Sequence, residues 1–239
     1  MASSSSSSFA RPSTRPDEIH SLLTGVERYN PQNIGMLKAY LAHQCANPDP
    51  STNHDLMANL ALLKMYQFNP AELDVDAVRR VLAKALISPA QGDFNLCLYL
   101  LSDEICKTAP IDKLLVLRDY LERAEFDKFW GEMYGGGDED EDDESVVDGI
   151  AGFDSGLRRL ILGEITSTYQ TIQAKLVGTM VNLDEEAVLR LAKEHGWGVS
   201  ETGVVSLPLK AENEARATVI SESIKFEQLT KILAAANSV

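Results

Sequence analysis

Apolar positions recur at helical spacing over most of this chain. Ile19, Leu22, Leu23 and Val26 fall at i, i+3, i+4 and i+7, one face of a helix beginning near Asp17. Ile34, Leu37 and Leu41 form a second stripe, and the segment from about Asn53 to Phe68 predicts a third helix. Val75, Val78, Leu82 and Leu86 predict a fourth. DFNLCLYLLSDEICK (93–107), PIDKLLVLRDYLERA (110–124) and EFDKFWGEMY (125–134) read as further helices, the second opened by Pro110. Through Tyr134 nothing alternates as a strand should.

Two short stretches punctuate this pattern. RYNP (28–31) and QFNP (67–70) place Asn30 and Asn69 39 residues apart. Slid back by that interval, the third helix sets Leu62 on Leu23, Met65 on Val26 and Phe68 on Tyr29. Tyr29 and Phe68 are therefore expected to close buried helix faces. Asn is a strong N-cap, and Pro suits the first helical position because its missing N–H has no partner there. Asn30 and Asn69 are thus expected to cap the helices that follow, with Glu72 completing a capping box at the second turn. Paired helices joined by tight turns predict a HEAT/TPR-like helical-repeat stack.

The pattern changes after Tyr134. The run DEDEDDE, Asp138 to Glu144, can bury nothing and repels itself. Helix resumes at DSGLRRLILGEITSTYQTI, with Asp154 or Ser155 as the expected cap. TIQAKLVGTMV predicts a short helix, and NLD a turn. DEEAVLRLAKEHGW is amphipathic through Val188, Leu191 and Ala192 and stops at Gly196. GVSETGVVSLPL sets β-branched residues around a Glu-Thr-Gly turn, the signal of a hairpin. Helix, turn, helix and hairpin in that order predict a winged helix. A final helix, KFEQLTKILAAAN, aligns Phe226, Leu229, Ile232 and Leu233 on one stripe, the candidate protein interface.

The expected organisation is mainly α: a disordered Ser-rich tail (1–16), a helical-repeat domain (17–134), an acidic disordered loop (135–149), a connecting helix (150–168), a winged-helix domain (169–222) and a C-terminal helix (223–239). The tail resembles a plastid transit peptide only in being Ser-rich and acid-poor, and a helical pattern starts just behind it.

Charge narrows the functions open to such a fold. The net charge is -14, and DEDEDDE supplies seven of the negatives. Such a chain repels nucleic-acid phosphates at long range. The second helix of the winged unit bears Asp184, Glu185, Glu186 and Glu194 against Arg190 and Lys193, so direct sequence-specific nucleic-acid binding is not expected. No apolar run is long enough to span a bilayer, and no membrane partner is expected.

Reactive constellations are absent from the sequence. Cys45, Cys97 and Cys106 fit neither a disulfide framework nor a CxxC metal clip, and read as reduced thiols. His20, His43, His54 and His195 are scattered, with no HExxH among them. GFDSG is not GxSxG, and GGGDEDE lacks the Lys-Ser/Thr of a phosphate loop. The expectation is no catalytic, cofactor-binding or metal-binding residue, hence no enzyme.

GVERYNPQNIGMLKAYL, ANLALLKMYQFNP, DFNLCLYL, FDKFWGEM and ITSTYQTI through LAKEHGWGV, in this order, resemble the subunit k family of the eukaryotic translation initiation factor three complex. The resemblance runs from about Gly25 to Trp197. It implies a PCI-type protein, built as helical repeats followed by a winged helix. It further implies a non-catalytic cytoplasmic subunit, close to subunit l, in a complex that binds the small ribosomal subunit and helps assemble the preinitiation complex. The Ser-rich tail and GGGDEDEDDE depart from the family pattern. Two rivals remain open: a scaffold of another PCI complex, the proteasome lid or the signalosome, and a winged-helix nucleic-acid-binding adaptor.

Overall fold

The computed structural model describes residues 11–47, 54–90, 92–134, 145–214 and 226–236, without the side chains of 226–228 and 232. The Ser-rich run and DEDEDDE lie outside the described residues. The fold is mainly helical, as expected. Its first part comprises α1 (Asp17–Thr24), α2 (Ile34–Ala46), α3 (Leu56–Phe68), α4 (Val75–Leu86), α5 (Asp93–Leu98), α6 (Asp103–Cys106), α7 (Ala109–Glu122) and α8 (Phe126–Tyr134). Then follow α9 (Phe153–Thr168), β1 (Thr171–Gln173), α10 (Ala174–Val181), α11 (Glu185–Glu194), β2 (Gly198–Val199), β3 (Val204–Ser206) and α12 (Phe226–Ala236).

The helical stripes are buried where their spacing placed them. Ile19, Leu22 and Leu23 of α1, Leu37 and Leu41 of α2, and Val78 and Leu82 of α4 all enter the core. Val26 does not. Gly25 leaves the helix in an extended conformation, a 3₁₀ turn follows at Val26–Tyr29, and Val26 is 83% exposed. α2 packs on α3 and α4, α4 on α5 and α7, and α7 on α8.

The two NP turns differ. Asn30 behaves as expected, its Oδ1 accepting from the Gln32 amide, although the turn it caps is 3₁₀ (Pro31–Asn33) before α2 begins. Asn69 corrects the expectation. Its Nδ2 donates backwards to the Met65 carbonyl, 2.9 Å, closing the end of α3. α4 is capped instead by Asp74, whose Oδ1 accepts from the Ala77 amide at 3.2 Å. Asn69 and Glu72 form no capping box: the Glu72 amide donates to the Asn69 main-chain carbonyl.

Residues 11–16 correct the boundary drawn for the tail. Arg15 is buried, its guanidinium gripping Asp55 through two hydrogen bonds of 2.6 Å. Asp55 also accepts from the Tyr40 hydroxyl at 3.1 Å and caps α3 through the Ala58 amide at 3.1 Å. α3 accordingly starts at Leu56, behind this aspartate. Residues 145–149, assigned to the acidic loop, are likewise built in. Val146 is buried, and Arg79 donates to the carbonyls of Val146 and Asp148 at 2.8 and 3.1 Å. Residues 93–107 form two helices rather than one, α6 starting behind Ser102. Neither Asp154 nor Ser155 caps α9. The cap position is Gly152, at φ +70°, and the Ser155 hydroxyl donates to its carbonyl.

Beyond α9, Thr171–Gln173 is a strand and not part of a helix. It pairs antiparallel with β3, which also pairs with β2, giving the order β1-β3-β2. Three residues are too few to show a period, so only their partners define them as strand. α10 meets α11 through a tight turn with Asn182 at φ +51°. A side chain at Gly178 would put its Cβ 2.7 Å from the Leu183 carbonyl oxygen, so the close approach of that turn requires glycine. Asp184 caps α11 through the Ala187 amide at 2.7 Å. The Asn213 amide donates to the carbonyls of Thr166, Tyr169 and Pro208, tying the chain after β3 to the end of α9.

Candidate partner-docking surfaces

α12 carries the residues predicted to form an interface. Leu229 and Leu233 lie one helical turn apart and are 41% and 60% exposed. Phe226 and Ile232 belong to the same helix, but their side chains fall outside the described residues. Leu229 and Leu233 thus share one exposed face of α12. Lys231, Ala234, Ala235 and Ala236 are exposed around them.

The second candidate surface is the β1–α10–α11–β2–β3 unit. α11 buries Val188 and Ala192 and exposes Glu185, Glu186, Arg190, Lys193 and Glu194. Its outer face therefore carries three acids against two bases. The hairpin presents Val199, 42% exposed, and Trp197, just before β2, is buried with its ring 5.4 Å from His195. β1 and β2 are both edge strands. Between α9 and the end of α11 a concavity of about 620 Å³ gathers Arg158, Arg159, His195 and Lys210 together with Glu194. The two arginines come from α9, outside the segment whose charges the sequence reading weighed for groove binding.

One aromatic residue fixes this unit on the helices before it. Trp130 of α8 donates from its indole nitrogen to the Met180 carbonyl at 2.9 Å. Arg158 of α9 donates to the neighbouring Val181 carbonyl at 3.0 Å and lies over the Trp130 ring at 5.4 Å. These side chains satisfy carbonyls at the C-terminus of α10 that the helix cannot pair itself. Tyr134 stacks on Trp130, and its hydroxyl donates to Asp154 at 2.6 Å. Phe126, Phe129 and Trp130 fall at i, i+3 and i+4 on α8, and all three are buried. Only the structure shows that the stripe also joins two parts of the fold.

A Ser, an Asp and a His do meet, unannounced by any motif. His54 Nε2 lies 3.0 Å from Asp93 Oδ2, and the Ser88 hydroxyl donates to the same oxygen at 2.7 Å. Serine activation needs the hydroxyl on the imidazole and the carboxylate behind it. Here the carboxylate stands between them, an order that cross-links the chain before α3 to the start of α5. Burial raises the thiols of Cys45 and Cys106, and burial with the nearby Asp93 pushes Cys97 up to about 12, so none is a ready thiolate at neutral pH. Among the described residues no three His, Cys, Asp or Glu side chains are placed to share a metal ion. Among the same residues no helix is long and apolar enough to cross a membrane.

Comparison with known proteins agrees with the resemblance seen in the sequence. A model of the CSN8/PSMD8/EIF3K family matches residues 72–218. A protein of Mycosarcoma maydis named eukaryotic translation initiation factor 3 subunit K is 32% identical over 279 residues, spanning 98% of this chain and 96% of that protein. The proteins of the same name from Xenopus tropicalis and Mus musculus are 35% and 33% identical over 214 residues, each match spanning 89% of this chain and 93% of the relative. The chain therefore belongs to the CSN8/PSMD8/EIF3K family, among the relatives that carry the name translation initiation factor 3 subunit K.

Proposed function

We propose that the chain is a non-catalytic structural subunit of the cytoplasmic initiation factor three complex, next to subunit l. There it supports assembly of the preinitiation complex on the small ribosomal subunit. The observation that carries this reading is the near-full-length similarity to proteins named as its subunit K. The helices before Tyr134 serve as a HEAT/TPR-like stack, and β1 through β3 with α10 and α11 as a PCI-type winged helix. In support, the order strand, helix, helix and hairpin with sheet order β1-β3-β2 is what a winged helix requires. The exposed Leu229 and Leu233 on α12 supply the apolar seam for neighbouring subunits.

Affinity purification from cytoplasm, read by mass spectrometry, tests membership. Initiation factor subunits are expected, subunit l foremost. Recovery of proteasome-lid or signalosome subunits in their place would overturn the reading. Leu229→Asp with Ile232→Asp is expected to release the chain from the complex with its thermal unfolding unchanged. Full retention of this double variant in the complex would remove α12 from the interface.

A second reading, the winged helix as a nucleic-acid adaptor, is favoured by the cluster of Arg158, Arg159, His195 and Lys210. Their partners weaken it: Arg158 is engaged by Val181 and Trp130, and Lys210 by Thr166. RNA affinity of the full chain that falls steeply with salt would favour the adaptor.

A further inference from the structure

Tyr29 and Phe68 close the two repeated turns, where the sequence pattern predicts burial. Both instead face solvent, 54% and 57% exposed. Their ring centroids are 6.5 Å apart at an interplanar angle of 51°, so the two turns present one joint aromatic surface. Each ring carries a cation. The Arg28 guanidinium lies 5.2 Å from the Tyr29 centroid, and the Lys64 ammonium 4.9 Å from that of Phe68. Neither cation has a carboxylate partner among the described residues. Lys64 donates to the neutral Gln67 amide at 2.8 Å. Glu27, next to Arg28, gives its carboxylate to the amides of Asn30 and Asn33.

The whole chain has 36 acids against 22 Lys and Arg. Two cations without acids, fixed over two exposed rings, are an inversion of that balance. We propose that the Tyr29–Phe68 surface docks a short segment of a partner protein in which acidic residues flank an apolar side chain. Its carboxylates pair with Arg28 and Lys64, and its apolar side chain covers the rings and the adjoining Val26. The net negative charge of the chain disfavours such a segment over most of its surface, and the concavity of Arg158, Arg159 and Lys210 has no exposed aromatic pair for its apolar side chain. The same repulsion acts against an extended polyanion such as RNA, whose charge continues past the patch.

The test places the photo-crosslinker p-benzoylphenylalanine at position 68 of the full-length chain in cells, with position 99 as control. Tyr99 is 77% exposed and makes a comparable free surface. Crosslinked peptides are sequenced by mass spectrometry. Crosslinks are expected on one partner segment with Asp or Glu on both sides of an apolar residue. Arg28→Glu with Lys64→Glu removes two charged contacts and should cut their yield at least about tenfold, and Arg28→Lys with Lys64→Arg should retain them. Crosslinks to RNA, to a second copy of this chain or to a segment without acids would overturn the proposal. So would a yield no higher than at position 99, or one indifferent to charge reversal. Recovery of the other complex subunits is measured on the same sample, so a failure of the patch is distinguished from a failure of membership.

Discussion

Two aspartates start two helices of this chain, Asp55 at α3 and Asp74 at α4, and only the first is buried. Each accepts from an amide three residues on, 3.1 Å at Ala58 and 3.2 Å at Ala77. Each also faces a cation, Arg15 for Asp55 and Lys38 for Asp74. The local chemistry is the same, and the surroundings differ. Asp55 and Arg15 have side chains 1% and 5% exposed, whereas those of Asp74 and Lys38 are 31% and 44% exposed. A cap is a short-range contact with a similar value in either place. The ion pair is not, because an unpaired charge in the interior cannot turn to water.

The largest effect follows from that difference. Asp55→Ala should cost about 3–5 kcal/mol in denaturant unfolding, because it strands the Arg15 guanidinium in the core. Asp55→Asn, which keeps the capping oxygen, should recover only a part of this, about 1 kcal/mol. Full recovery by Asn would mean that capping and not charge sets the value of Asp55, and the contrast with Asp74 would disappear.

These two sites also show what the sequence could and could not disclose. Helix existence was legible, because a stripe such as Val78 and Leu82 reports burial locally. The Arg15–Asp55 pair was not. Its partners are 40 residues apart, and Arg15 sits behind a Ser-rich run whose composition reads as tail. Val146 was hidden in the same way by seven adjacent acids, although Arg79 holds its carbonyl. β1 escaped notice because strand identity in three residues resides in the pairing with β3. The spacing on α12 sets Leu229 and Leu233 one turn apart, and both are exposed. Tyr29 leaves the interior that the pattern predicts because Gly25 turns the chain out of α1 before Val26.

A middle-sized effect is expected at Asp74. Asp74→Ala should cost about 1 kcal/mol, the value of a lost cap. The exposed Lys38 contact adds little. Acid sharpens the point. Burial works to raise the Asp74 carboxyl, yet hydrogen bonds from Lys38 and the Ala77 amide outweigh it and hold the group below its usual value. A carboxylate lowered in the folded state stabilises fully above its unfolded value, about 3.9, and loses that contribution as pH falls through the lower folded value. The stability gap between wild type and Asp74→Ala should therefore be constant at neutral pH and shrink below about pH 4. A gap that widened in acid would reverse the assignment of Lys38 and Ala77 as the dominant partners.

The smallest effect separates the two asparagines that look alike in sequence. Asn30 accepts from the Gln32 amide at the start of a turn, and Asn69 donates to the Met65 carbonyl at the end of a helix. Asn→Asp keeps the acceptor and deletes the donor. At Asn30 the new charge gains from the amide-rich helix start and loses against Glu27, whose carboxylate the Asn30 amide now holds. The balance should stay within about 0.5 kcal/mol of wild type. At Asn69 the same change removes the hydrogen bond and puts a negative charge on the carbonyl end of α3, for a loss of about 1 kcal/mol. Equal losses in thermal unfolding would return both asparagines to a single role. Unequal losses in the stated order would show that one NP turn opens a helix and the other closes one, so that a repeated sequence here does not mean a repeated hydrogen bond.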